Sequence, residues 1–145
     1  MRRMTSSPPF FMATPTSEGV ARYAIAPWAL VDDPRLSPSA RGLIEDSKNI
    51  LFVSAATVWK ISITRTDSPG KIPISGTEAI QFLQRAGYRF LDISPDPAAR
   101  VETLPRHHND PFDRIIVAQA LIEPLVLVAS DRIFSLYSDS FIIVP

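Results

Sequence analysis

An α/β fold built on a parallel sheet is what this sequence predicts, and three observations carry the prediction. ILFVSA at 50–55 and LVLVAS at 125–130 are continuous apolar runs of strand length, as strands covered on both faces require. Around them lie segments of helical periodicity opened by recognisable caps, so strands and helices alternate along the chain. Finally, 46% of the 145 residues are apolar and 21% are charged, a globular balance in a chain long enough for one core and short for two.

The elements follow in order. Residues 1–19 collect Pro, Ser and Thr without periodicity and read as a flexible tail or a misassigned start, leaving 20–145 as the folded domain. VARYAI (20–25) is short, apolar and compatible with a strand. Ser37-Pro38 supplies an N-cap followed by proline at the first helical position, and Ala40, Leu43 and Ile44 give that helix an apolar side. The strand ILFVSA leads into ATVWKISIT (56–64), where Val58, Trp59 and Ile61 fall at helical spacings. Asp67–Gly76, with two prolines and two glycines, reads as a loop.

Thr77 is expected to cap a helix with apolar Ala79, Ile80 and Leu83 that stops at Gly87. YRFLDI (88–93) then reads as a strand and PDPAARVETL (95–104) as a short helix. Asp110, Pro111 and Asp113 mark the clearest helix start in the chain, a variant of the capping box. LVLVAS is another buried strand, DRIFSLY (131–137) a short helix and FIIV (141–144) an edge strand. The aromatic residues Trp28, Trp59, Phe82, Phe90, Phe112 and Phe134 sit within apolar periodic segments and are expected in the core.

Composition excludes more than it identifies. Fifteen basic side chains balance fifteen acidic ones, so no overall field draws the molecule onto nucleic acid or membrane. The balance is uneven, however: residues 101–145 hold three Arg against six Asp and Glu. The absence of cysteine removes disulfides, thiolate nucleophiles and zinc knuckles. No apolar run approaches the roughly 20 residues needed to span a bilayer, and the cytoplasm is the expected compartment.

In an open parallel sheet, functional groups collect beyond the C-terminal ends of the strands. Asp113 and Asp131 fall there, and two carboxylates at strand ends are the usual start of a site for magnesium or manganese, which prefer oxygen ligands. Such an ion lowers the pKa of bound water and clamps a phosphodiester for in-line attack. The competing reading is capping: Asp110 and Asp113 suit a helix start, and Asp131 suits the start of DRIFSLY. His107-His108 are adjacent on a loop and rarely would two such residues aim at one ion, so they read as positioning or surface groups. Arg106, Arg114 and Arg132 read as ordinary solvated arginines, with contact to phosphates as the alternative.

At these residues the chain resembles a family. LPRHHNDPFDRIIVAQALIEPLVLVASDRIF is similar to the C-terminal half of PIN-domain proteins, specifically the VapC-type toxins of bacterial toxin–antitoxin pairs. The likeness continues through WALVDDPRLSPSARGLIED, NILFVSAATVWKISI and GKIPI, and covers about residues 20–145. It implies a three-layer α/β/α sandwich, a Mg2+- or Mn2+-dependent endoribonuclease acting on RNA, a cognate antitoxin protein as partner, and a homodimer. Carried over by position, Asp113 and Asp131 become the catalytic and metal-binding acids, with Asp110 in support. Ala129 stands where the family has a Thr two residues before the late acid.

Two further acids of the family pattern are replaced by bases. The first strand of the family ends in Leu-Leu-Asp-Thr-His, and counting back from Trp28 the Asp position falls on Arg22. The Trp-Glu-Ile motif after the second strand reads Trp59-Lys60-Ile61 here. Four carboxylates would sum to −4, whereas Arg22, Lys60, Asp113 and Asp131 sum to zero. At an effective dielectric of about 20, a unit charge about 4 Å from a dication contributes roughly 8 kcal/mol before solvent screening. The resemblance therefore implies the nuclease scaffold, and the charges imply an impaired metal site. The alternative is an inactive PIN-fold remnant that only binds an antitoxin or dimerises.

Overall fold

The computed structural model describes residues 21–30 and 36–144. The tail expected at 1–19 lies outside the described residues, as does the side chain of Trp28. Five strands form one parallel sheet: β1 (Arg22–Ile25), β2 (Ile50–Ser54), β3 (Arg89–Leu91), β4 (Val126–Ala129) and β5 (Ile142–Ile143), in the order β3-β2-β1-β4-β5. Helices α1 (Pro38–Glu45), α2 (Ala55–Asp67), α3 (Gly76–Arg85), α4 (Pro95–Arg100) and α5 (Pro111–Ile122) connect them.

Strand alternation divides the core cleanly. Tyr23, Ile25, Leu51, Val126 and Val128 point to the face covered by Ala40 and Leu43 of α1. Their neighbours Ala24, Ala26, Phe52, Leu127 and Ala129 point to the opposite face, where α5 lays down Ile116, Val117 and Ala120. A sheet buried on both faces explains why its strands read as unbroken apolar runs. The expected α/β sandwich is the fold observed.

Most caps sit where the sequence places them. Ser37 accepts from the Ala40 N–H at 3.2 Å, and Asp110 accepts from Phe112 N–H at 2.9 Å. One cap moves: α3 is opened by Ser75 rather than Thr77, in a full capping box with Glu78. Helix α3 thus starts at Gly76, where a Cβ would collide with the Ser62 side chain of α2; glycine permits the close approach. DRIFSLY forms a 3-10 turn, Arg132–Leu136, capped by Asp131.

The aromatic expectations need correction. Phe134 is buried, but Trp59 is 59% exposed and Phe82 is 58% exposed. Helix α3 buries Ala79 and Leu83, which leaves Phe82 on its outer side, and Trp59 lies on the outer side of α2 against Phe112.

Candidate functional site

Parallel strands bring the start of α2, which follows β2, beside the start of α5, where the Trp59 and Phe112 rings meet edge to face at 5.3 Å. This junction holds the polar residues of interest. Asp110 is committed to its own helix: Oδ1 accepts from the backbone of Phe112 at 2.9 Å and of Asp113 at 3.3 Å. Its Oδ2 lies 3.7 Å from Lys60 Nζ, and that ammonium also sits 5.8 Å from the Phe112 ring centre. Both partners are about two-fifths exposed (45% and 36%), so the pair is solvent-screened and weak.

Asp113 lies one helical turn further along. Burial pushes its carboxyl pKa up, and the Asp110 carboxylate adds to the rise. Lys60 and His108 oppose it, and Asp131 contributes a further small rise. Asp131 itself is exposed and spends Oδ1 on the Ile133 N–H at 3.0 Å. Four of the five positions singled out in the sequence therefore share one electrostatic neighbourhood.

Arg22 is the fifth, and it is elsewhere. It opens β1, opposite Ile50, with its guanidinium 5.1 Å from the centre of the Phe52 ring. The sheet register carries β1 four residues further, about 13 Å at strand rise, before reaching the level of Ser54 and Ala129. The residue there is Ala26, whose N–H donates to Val128 O at 3.0 Å. Counting from Trp28 puts Arg22 at the first acid of the family pattern; the strand pairing puts Ala26, not Arg22, level with Ser54 and Ala129.

The oxygens present do not fit a hard divalent ion, which takes about six oxygen ligands in a near-octahedral shell. Among the described residues no group of three or more His, Asp or Glu converges as a metal site. Asp110 is engaged by Lys60 and two backbone donors. Ser54 Oγ at the end of β2 donates to Gln119 Oε1 at 2.6 Å. The Lys60 ammonium stands beside these carboxylates, 3.7 Å from Asp110 Oδ2.

Three side chains escaped the sequence reading. Arg114, expected as a solvated or phosphate-contacting arginine, is 4% exposed. Its guanidinium donates to the carbonyls of Val101, Leu104, Pro105 and His108 at 3.0–3.4 Å, tying the 101–108 segment to α5. Gln119, 1% exposed, accepts from Ser54 and donates to the carbonyls of Leu91 and Asp92. Tyr137 joins the histidines: its hydroxyl lies 2.7 Å from His108 Nδ1, and its ring meets His107 edge-on at 4.8 Å. The signal for the first two was present, because α5 is apolar almost all round, and a polar residue in a helix buried on every side must be paired.

A family model described as the PIN domain matches residues 25–139. Comparison with curated proteins returns no match. A solved structure, of VapBC2 from Rickettsia felis bound to a DNA fragment from their promoter, matches with a TM-score of 0.58 and 14% identity. The match covers 85% of this chain and 97% of that one, and at this identity it speaks for the fold.

Proposed function

Since this chain belongs to the PIN domain family, we propose that it is a VapC-type toxin-like protein, a Mg2+- or Mn2+-dependent RNA endoribonuclease by descent whose metal site is impaired. Asp113 and Asp131 are its remaining site acids, and Asp110 supports them from the helix cap. The observation that carries the reading is the Lys60 ammonium 3.7 Å from Asp110 Oδ2, where the family motif has a glutamate. The fold shared with VapBC2, solved on promoter DNA, supports the same assignment. A cognate antitoxin and a second copy of the chain are the partners it implies, in the cytoplasm. No helix among the described residues is long and apolar enough to cross a membrane.

A second reading drops the reaction altogether and leaves an antitoxin-binding or dimerising module. The absence of a three-acid group among the described residues favours it. Calorimetric titration with manganese, paired with an RNA cleavage assay, separates the two. The native chain should bind weakly and cleave little, and Lys60→Glu combined with Ala26→Asp should bind far better. If solvent leaves about a fifth of the roughly 8 kcal/mol per unit of charge, each unit gained, two at Lys60→Glu and one at Ala26→Asp, improves affinity about tenfold or more. Lys60→Glu with Arg22→Asp is the control, expected to bind no better than Lys60→Glu alone. Strong metal-dependent cleavage by the native chain, abolished in Asp113→Asn, would overturn the impaired-site reading.

A further inference from the structure

A chain of polar contacts runs from the interior of α5 to the Asp113 carboxylate, and neither capping nor metal binding accounts for it. It begins at Arg114, whose guanidinium has donors only. Besides the four carbonyls it binds, Nη1 reaches the Tyr137 hydroxyl at 3.5 Å, so the phenol oxygen acts there as an acceptor. The hydroxyl proton needs its own acceptor. Among the described residues the group in place is His108 Nδ1, at 2.7 Å. A neutral imidazole that accepts at Nδ1 carries its proton on Nε2.

That second nitrogen is buried and has no hydrogen-bond partner. It faces Asp113 Oδ2 at 3.7 Å, just beyond hydrogen-bond range. A shift of a few tenths of an ångström closes the gap. The ring is not free to turn away, because Phe134 and Tyr137 both meet it edge-on at 5.5 Å between centres. The Asp113 carboxylate, for its part, has no hydrogen bond among the described residues.

We infer that His108 is a positioning residue for Asp113: the Arg114–Tyr137 pair fixes its imidazole as the Nε2–H tautomer, and that N–H orients the carboxylate. A histidine serving only as packing would have no reason to hold one tautomer, and the contact with Tyr137 would be incidental. The orientation would serve whatever Asp113 engages, so the purpose of the device rests on the reading of Asp113 as a surviving site acid. Its existence does not, and the test uses neither metal nor RNA, so failure of one leaves the other to be judged separately.

The test is nitrogen and carbon NMR on isotope-labelled full-length chain at about pH 8, where imidazoles as a class are neutral. The native spectrum should show His108 protonated at Nε2 and bare at Nδ1. Tyr137→Phe keeps the ring but removes the hydroxyl, and should shift His108 to the other tautomer or a mixture while moving the Asp113 carboxyl signal. His108→Ala should move that carboxyl signal too, and His108→Gln, whose amide N–H lies near the position of Nε2, should return it toward native. A native His108 protonated at Nδ1 overturns the inference. So does a Tyr137→Phe variant in which the tautomer and the Asp113 signal are unchanged, and these two spectra suffice even if His108→Ala fails to fold.

Discussion

Helix α5 carries two populations of polar side chains that differ in everything but their element. In its body, Arg114 and Gln119 are at most 4% exposed, and each spends its donors on backbone carbonyls. At its tip, Asp110 and Asp113 are partly exposed and repel one another, and a surface lysine relieves them incompletely. The first group holds the fold together. The second is divided: Asp110 caps the helix, while Asp113 is held against burial and the Asp110 charge, a strain that marks a candidate site residue. The contrast separates a paired interior, in which Arg114 and Gln119 satisfy backbone carbonyls, from a tip where Lys60 stands against the carboxylates.

The largest test of that contrast is Arg114→Met, which keeps much of the volume and removes the guanidinium. The carbonyls of Val101, Leu104 and Pro105 then lose their donor inside the protein. The expected cost is on the order of 3 kcal/mol, or roughly 10 °C in Tm for a domain of this size. The exposed Arg132→Met is the comparison and should lie within about 0.5 kcal/mol of native. Denaturant melts that fail to separate the two variants would remove the distinction between body and tip.

Asp110→Ala probes the tip, with a smaller expected loss of about 1 kcal/mol from the two backbone donors at the helix start. Asp110→Asn should recover most of it, because an amide oxygen still caps and the screened bridge to Lys60 contributes little. A loss in Asp110→Asn equal to that in Asp110→Ala would mean the Lys60 pair is worth more than its exposure suggests.

The body and the tip also differ in how well the sequence announced them. Caps at Ser37, Asp110 and Asp131 were legible because a cap is a local contest between a short polar side chain and nearby N–H groups. The parallel sheet was legible because strands covered on both faces must be apolar throughout. Ser75 displaces Thr77 because Ser75 and Glu78 form the reciprocal capping box, a local S-x-x-E pattern that the reading of Thr77 as cap passes over. Arg114 was misread because arginine is usually exposed; only the chain's return through Val101–His108 supplies its acceptors. The position of Arg22 at the start of β1 was hidden for the same kind of reason, since the register of β1 against β2 and β4 is set across the sheet.

Asp113 offers the smallest effect and the one most specific to the tip. Its pKa is raised by burial and by Asp110, so the folded protein holds this proton more tightly than the unfolded chain does. Between the ordinary carboxylate value and the raised one, the folded state binds more protons, and stability falls as pH climbs through that window. Above it the carboxylate is ionised in both states, and the full penalty persists at neutral pH. Asp113→Asn removes the penalty and keeps an oxygen facing His108, so the variant should melt higher than native at about pH 7. By about pH 3, with the native carboxyl protonated before and after unfolding, the advantage should vanish. The Lys60 ammonium opposes the rise, so a Lys60→Glu background should enlarge the gain from Asp113→Asn at about pH 7. A gain that ignores pH, or an Asp113→Asn that melts lower at neutral pH, would show the carboxylate to be supported at the tip as fully as Arg114 is in the body.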